Sequence, residues 1–194
     1  MGRDRPYPDA DIDQDQERVL LARIRDGDEQ AFTTLVTLYL DAVTVFAFYI
    51  VRSHDAAEDI AQSVFVSLWE GRHNLDAVRS AKSYLFRSVR NRALDEQKAN
   101  AIRARYSAAM QAEAETGTRS AAAPSIEEAL LTASTVQAAM LQLSERHQVA
   151  LRLRIHDEMT HAEIGEILEI SPETAQRLVS RAVANLRKIL RLSD

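Results

Sequence analysis

The sequence predicts an all-α protein of two small helical domains joined by a flexible linker, with a helix-turn-helix in the C-terminal one. Three observations carry that expectation. Ala, Leu, Arg and Glu dominate the 194 residues, while Gly (5) and Pro (4) are scarce, a balance that favours long helices over tight turns. Apolar residues recur at steps of three and four, and no strand-and-hairpin alternation is present. Two helix-start signatures follow one another closely near the C-terminus.

Residues 1–16 hold five Asp and two Pro with almost no large apolar side chain; they cannot bury enough surface to order themselves and read as a disordered acidic leader. From Glu17 the pattern changes. Val19, Leu20 and Ile24, then Phe32, Leu35, Val36, Tyr39, Val43, Phe46, Ala47 and Ile50 predict a short helix and a long one. Asp55, with Glu58 three residues on, has the form of a capping box opening a third helix. Its apolar stripe is Ile60, Ala61, Val64, Phe65, Leu68 and Trp69, and its other face shows Asp59, Gln62, Ser63 and Val66. After a loop from Gly71 to Ser80, the residues Ala81, Tyr84, Leu85, Ser88, Val89 and Ala93 trace a fourth helix with Arg87, Arg90 and Asn91 outward. These helices close a first domain over residues 17–100. Residues 101–125 lose the periodicity and become small and polar, a linker that is helical at first and flexible later.

The second domain, residues 126–194, begins with Leu130, Leu131, Val136, Ala139, Met140 and Leu143 on one side, and Ser144 is placed to cap the helix that carries Val149, Ala150 and Leu153. Thr160 and Glu163 form a capping box that opens a helix of about two turns, with Ile164, Ile167 and Leu168 inward. Gly165 is small enough there for two helices to approach closely. Ser171 and Pro172 then supply an N-cap and an N1 proline, and Glu173 puts an anion in the first turn. Ala175, Val179, Ala182, Leu186, Ile189 and Leu190 form the buried stripe, leaving Thr174, Gln176, Arg177, Ser180 and Arg181 on or near the free face. Two helices joined by about three residues, the second longer and bearing donors, meet the requirement for docking in a major groove.

Composition narrows the function further. The net charge of −5 argues against a uniformly basic nucleic-acid binder, but the charge is segregated: residues 17–70 carry four basic and nine acidic side chains, residues 71–105 nine basic and three acidic. The middle of the chain can face phosphate while the stretch before it faces something else. Without cysteine there are no disulfides and no thiolate metal sites. No signal-peptide core precedes Glu17, and no later apolar run is expected to reach membrane-spanning length, which places the protein in the cytoplasm without membrane insertion. His156, Asp157, Glu158 and His161 crowd together, but two His five apart across a helix start do not share a face as a metal pair would. Neither a phosphate-cradling Gly loop nor a nucleophile elbow occurs, so no enzyme, metal, cofactor or small-molecule substrate is expected.

Set in order, four stretches resemble the bacterial RNA polymerase sigma factors of the extracytoplasmic-function group. Gly27 to Phe32 with Leu35 and Tyr39 looks like that family's opening helix pair. Asp55 to Trp69 is similar to the helix that docks on the polymerase clamp, Ser83 to Asp95 to the helix that engages the minus-ten promoter element, and Leu143 to Leu151 with the helix-turn-helix to the domain that reads the minus-thirty-five element. The resemblance implies that the two domains are sigma domains 2 and 4. It further implies that Asp55, Glu58, Asp59, Gln62, Ser63 and Val66 meet polymerase. A loop before the fourth helix captures a flipped base in this family, and the matching stretch puts His73 and Asn74 forward for the base edge. Arg79, Lys82, Arg87 and Arg90 would hold phosphates, beside Tyr84 and Asn91. Thr160, Ser171, Glu173, Thr174, Gln176, Arg177, Ser180 and Arg181 would meet minus-thirty-five DNA. The implied partners are core RNA polymerase, promoter DNA and an anti-sigma factor.

The chain departs from that pattern in places: Tyr84 stands where Trp is usual, Glu169 where the turn commonly has Gly, and Gln176 and Leu178 where basic residues are usual. Two other readings stay open at this level. A sigma mimic would bind the anti-sigma factor instead of DNA, although no alternating strand-helix receiver segment accompanies these helices. A plain helix-turn-helix regulator would have no need of polymerase, which the Asp55 to Trp69 segment opposes.

Overall fold

In the computed structural model the described residues are 14–114 and 135–192, all of the regular structure among them helical. The chain divides into two compact units, residues 1–106 and 107–194. In the first, α1 (Gln14–Arg25) leads through a tight turn into α2 (Glu29–Val51), followed by α3 (His54–Glu70), a 3-10 turn (Arg72–Ala77) and α4 (Ala81–Ala114). The turn after α1 needs a left-handed residue, and Gly27 supplies it at φ 91°. Asp28 caps α2 by accepting from the backbone N–H groups of Gln30 (2.9 Å) and Ala31 (3.1 Å), and Arg23 lies 2.7 Å from its carboxylate. Those bonds, the Ala31 N–H foremost, hold the Asp28 carboxyl below its usual range.

Leu35, Val43, Phe46, Ala47 and Ile50 of α2 meet Ile60, Ala61, Val64, Phe65 and Leu68 of α3 and Leu85, Phe86, Val89 and Ala93 of α4 in the buried interior, with the Phe46 and Phe86 rings 5.1 Å apart. By length and composition α2 could cross a membrane, which corrects the expectation that no run is long enough. Its buried side chains lie in a core shared with α3, however, and Thr33, Thr34, Thr37 and Asp41 are exposed, the pattern of a helix central to a folded domain.

Three helix details differ from the sequence expectation. Ser53, not Asp55, caps α3, its hydroxyl accepting from the Ala56 N–H; the helix starts one residue before the acidic pair. In α1 the buried face is Glu17, Leu20, Leu21 and Ile24, and Val19 is exposed, because a step of one residue turns it about 100° away. In α4, Ser83 and Phe86 are buried where Tyr84 and Ser88 were expected, and those two lie half-exposed at the flank. Helix α4 runs on through the first part of the stretch read as linker. Its remainder, and the start of the second domain with Leu130 and Leu131, fall outside the described residues.

The second unit comprises α5 (Thr135–Leu141), α6 (Glu145–Ile155), α7 (His161–Leu168) and α8 (Pro172–Leu192). Leu143, Leu151, Leu153, Met159, Ile164, Ile167, Ala175 and Ala182 are buried, and half-buried Met140, Leu186 and Ile189 pack against this core. Val136, expected inward, is exposed. Ser144 precedes α6 as anticipated but makes no side-chain cap; its hydroxyl pairs instead with His147 Nδ1 at 2.8 Å. In the connection after α6, Asp157 is buried beside Arg152 (3.8 Å) and His156 (3.5 Å).

One buried carboxylate ties the first unit together. Glu17 accepts from the Tyr39 hydroxyl at 3.0 Å and from the Lys82 backbone N–H at 2.9 Å, joining α1, α2 and the first turn of α4. Glu17→Ala leaves both donors without this acceptor and is expected to cost about 1–3 kcal/mol, whereas Glu17→Gln keeps an acceptor oxygen and costs less. Thermal unfolding of the full chain checks it: equal midpoints for wild type and Glu17→Ala would count against the role given to this carboxylate.

Candidate polymerase and promoter interfaces

The α3 side chains put forward for polymerase share one exposed face. Asp55, Asp59, Gln62 and Val66 follow at steps of four, three and four, and with Glu58 all are exposed. Val66 is 54% exposed, so this face is an apolar side chain framed by carboxylates and an amide. Ser63 stands apart from them. It is half-buried, donates to the Ile60 carbonyl at 2.8 Å, and accepts from Arg92 Nη1 at 2.7 Å, while Arg92 Nη2 donates to Ser67 at 2.6 Å. Sequence reasoning missed Arg92, which forks onto two hydroxyls one helical turn apart and so fixes α4 to the flank of α3. The i, i+4 serines were the only signal.

The loop after α3 is organised by Arg72. Its guanidinium lies over the Trp69 ring at 4.7 Å and donates to the Trp69 carbonyl at 2.9 Å, and Phe32 packs on the same indole at 5.0 Å. Leu75 is buried and anchors the 3-10 turn, which leaves His73 and Asn74 exposed beside each other. Arg79 is exposed on the way to α4, and Ser80 caps that helix, accepting from the Ser83 N–H at 3.2 Å. Along α4, Tyr84, Arg87 and Asn91 recur at i, i+3 and i+7 on one accessible face, with half-exposed Arg90 at its margin, whereas half-exposed Lys82 lies in the first turn on the other side of the helix. Arg90 Nη1 is 3.3 Å from Asn91 Oδ1. All eight residues expected at minus-ten DNA therefore lie in one continuous segment at the surface of the first unit.

In the second unit the capping box at α7 is complete. Glu163 N–H donates to Thr160 Oγ1 (3.2 Å), and Thr160 N–H donates to Glu163 Oε2 (2.7 Å). The turn is tight: a Cβ on Gly165 would sit 2.8 Å from the Ile170 carbonyl oxygen, and Glu169 is left-handed at φ 55°, ψ 48°. Ser171 Oγ accepts from the Thr174 N–H at 3.2 Å and caps α8. Ser171, Glu173, Thr174, Gln176, Arg177, Ser180 and Arg181 are all exposed on α8 and its cap, and Leu178 is half-buried at the edge of the core. The Glu173 carboxyl lies below its usual range, held by its own backbone N–H first, then by the Ser171 hydroxyl and by Arg177. It is thus a persistent anion in the first turn of α8.

The comparisons with known proteins agree with this layout. Residues 35–102 match the model of sigma-70 region 2, and residues 139–188 match that of sigma-70 region 4, so the two matches fall in the first and second units in that order. Together they span more than half of the chain. The chain belongs to the sigma-70 family, in its extracytoplasmic-function group. Similar proteins include the extracytoplasmic-function sigma factor SigW of Bacillus subtilis, 27% identical with 88% of this chain and 95% of that protein covered. CarQ of Myxococcus xanthus is 29% identical over the same shares, and the sigma-H factor of Pseudomonas aeruginosa 25% over 92% and 96%. Among solved structures, CnrH in complex with the cytosolic domain of CnrY has a TM-score of 0.68 at 21% identity, covering 94% of this chain and all of that one. The sigma factor RpoE with the anti-sigma factor NepR of Bartonella quintana gives 0.56 at 22%, covering 84% and 98%. These likenesses establish the fold of two helical domains.

Two outcomes follow from the second unit. Glu169→Gly removes the steric cost of a left-handed side-chain-bearing residue and should stabilise the unit by about 1 kcal/mol; chemical denaturation monitored by circular dichroism reads it, and an unchanged midpoint would contradict it. Glu173→Gln removes that fixed anion from the first turn of α8, the helix expected to meet minus-thirty-five DNA. Binding of the full chain, in complex with core polymerase, to its minus-thirty-five duplex should tighten several-fold at low salt, and the gain should shrink as salt rises.

Proposed function

We propose that this sigma factor selects promoters through both units, binding core RNA polymerase by the α3 face, opening and reading the minus-ten element with the 72–91 segment, and reading the minus-thirty-five element with α8. What supports the reading most is the one surface that runs from His73 to Asn91. It holds two polar side chains exposed on a short turn, an aromatic ring, and arginines at helical spacing, which is the set that an opened strand requires: hydrogen bonds to a base edge, a stacking face and phosphate charges. A sigma mimic has no need of it. The α3 face would offer polymerase an exposed valine preceded along the helix by Asp55, Glu58, Asp59 and Gln62, so that steering is electrostatic and the contact itself apolar.

Chemistry stays with the polymerase in this reading, and the chain is not itself an enzyme. It acts in the cytoplasm, where α2 serves as a core helix and not as a membrane span. An anti-sigma factor is the expected inhibitor, as the RpoE and NepR complex illustrates for a protein of the same fold. Sigma domain 2 is assigned to residues 17–100, a linker to 101–125 and sigma domain 4 to 126–194.

In vitro transcription with core polymerase, on promoters recovered by selection, tests the proposal. A promoter-specific transcript is expected, and its absence from every template would favour the mimic. On the same templates Asn74→Ala should slow open-complex formation and relax preference at one minus-ten base, while core binding is retained. Unchanged promoter choice would remove Asn74 from the base-reading role.

A further inference from the structure

Helix α1 lies upstream of the matched region 2, which starts at residue 35, and none of its side chains belongs to the surfaces assigned above. Yet α1 packs against the 3-10 turn that presents His73 and Asn74. Arg25, in the last turn of α1, reaches across 51 positions of sequence: its Nη1 lies 2.6 Å from Asp76 Oδ1, and its Nε donates to Asp26 Oδ1 at 2.9 Å. Asp76 is two residues from Asn74 and directly follows the buried Leu75. At the other end of α1, Glu17 accepts from the Lys82 N–H at the start of α4. The two ends of α1 therefore hold the loop near its middle, at Asp76, and the first turn of α4 just beyond it, at Lys82.

We propose that Arg25 and Asp76 are positioning residues for minus-ten recognition, an ion pair that holds the His73–Asn74 turn in the shape that receives an extruded base. This rests on the base-reading role proposed for that turn. Arg72 on Trp69 and the buried Leu75 fix the start and middle of this six-residue turn; the pair adds an anchor just after Leu75, and each conformer it excludes no longer subtracts from the population able to bind. The pair is well suited to restrict the turn without stiffening the core. Its carboxylate is 71% exposed and its guanidinium 37%, so it adds little to global stability while fixing the orientation of its neighbours. Asp26 keeps Arg25 extended along the same side, so that the guanidinium is aimed before the turn meets it.

The test uses the full chain assembled with core polymerase and a fluorescent single-stranded oligonucleotide carrying the selected non-template minus-ten sequence. Asp76→Ala should weaken oligonucleotide binding about three- to tenfold and flatten discrimination at the base that Asn74→Ala affects. Core affinity, binding of the minus-thirty-five duplex and the unfolding midpoint of the free chain should stay near wild type. Arg25→Lys keeps the charge but loses the two-point fork, and should fall between wild type and Arg25→Ala. Wild-type oligonucleotide affinity and base preference in both Asp76→Ala and Arg25→Ala would overturn the proposal, as would a loss in Asp76→Ala matched by an equal loss of core binding and of thermal midpoint, since that is a folding defect. If His73→Ala and Asn74→Ala have no effect either, it is the base-reading role that fails; if they weaken binding and the Arg25 and Asp76 variants do not, only the clamp fails.

Discussion

The first unit depends on a buried carboxylate. Glu17 is 5% exposed, and burying a carboxylate is costly unless donors replace the water it leaves. Two do so here, a phenol from α2 and a backbone N–H from the first turn of α4. The second is the more consequential, because a helix start carries unpaired N–H groups and a partial positive charge. A carboxylate delivered from α1 satisfies one of those donors and sets where α4 begins. Everything proposed for the opened strand is counted from that point, since Tyr84, Arg87 and Asn91 project in one direction only while α4 keeps its start and rotation. Arg92 fixes the same rotation from the opposite side through Ser63 and Ser67.

This arrangement also accounts for the charge segregation. Helices α1 to α3 carry the acidic side chains and α4 with its preceding loop the basic ones. Where the two meet, the charges are used structurally: Arg25 with Asp76 and Glu17 with the α4 start. Farther from that seam they are exposed and unlike, carboxylates on α3 and guanidiniums on α4. A protein with a net charge of −5 can therefore present a cationic surface to DNA without attracting nucleic acid everywhere.

What the sequence made legible was whatever has a period or a local signature. The two helical domains, the α3 polar face, the Thr160–Glu163 capping box and the Ser171–Pro172 start all rest on residues within four positions of one another, and the structure shows the capping box and the Ser171 cap as hydrogen bonds. Periodicity was also enough to mark α8 down to Ala182. It failed where the decisive partner was remote. Glu17, Arg92 and Arg25 carried no local signal of their roles, because their partners lie 65, 29 and 51 positions away. Helix ends were the other weak point: Ser53 and Asp55 are both good caps, and which one the chain uses is settled by the left-handed Arg52 that ends α2. The site residues were legible as types on a face; that Ser63 is engaged by Arg92 was not.

On the proposed reading, the second unit explains why neither surface would suffice alone. Helix α8 places Arg177 and Arg181 on its free face but starts with a persistent anion at Glu173 and ends its turn on Glu169, and the half-buried Leu178 offers no charge. Few phosphate contacts mean modest affinity, falling steeply as salt rises. The 72–91 surface is better charged, yet it pays the unstacking of a base before it gains anything. Joined in one chain and held on one polymerase, the second event becomes intramolecular, and its effective concentration replaces the free one. Two weak surfaces then suffice for selection, provided that both match: a promoter with only one good element recovers only one of the two terms. In this reading the weakness of α8 is what makes discrimination depend on both elements, because a tight minus-thirty-five contact would hold polymerase at sites whose minus-ten sequence the Asn74 turn cannot open.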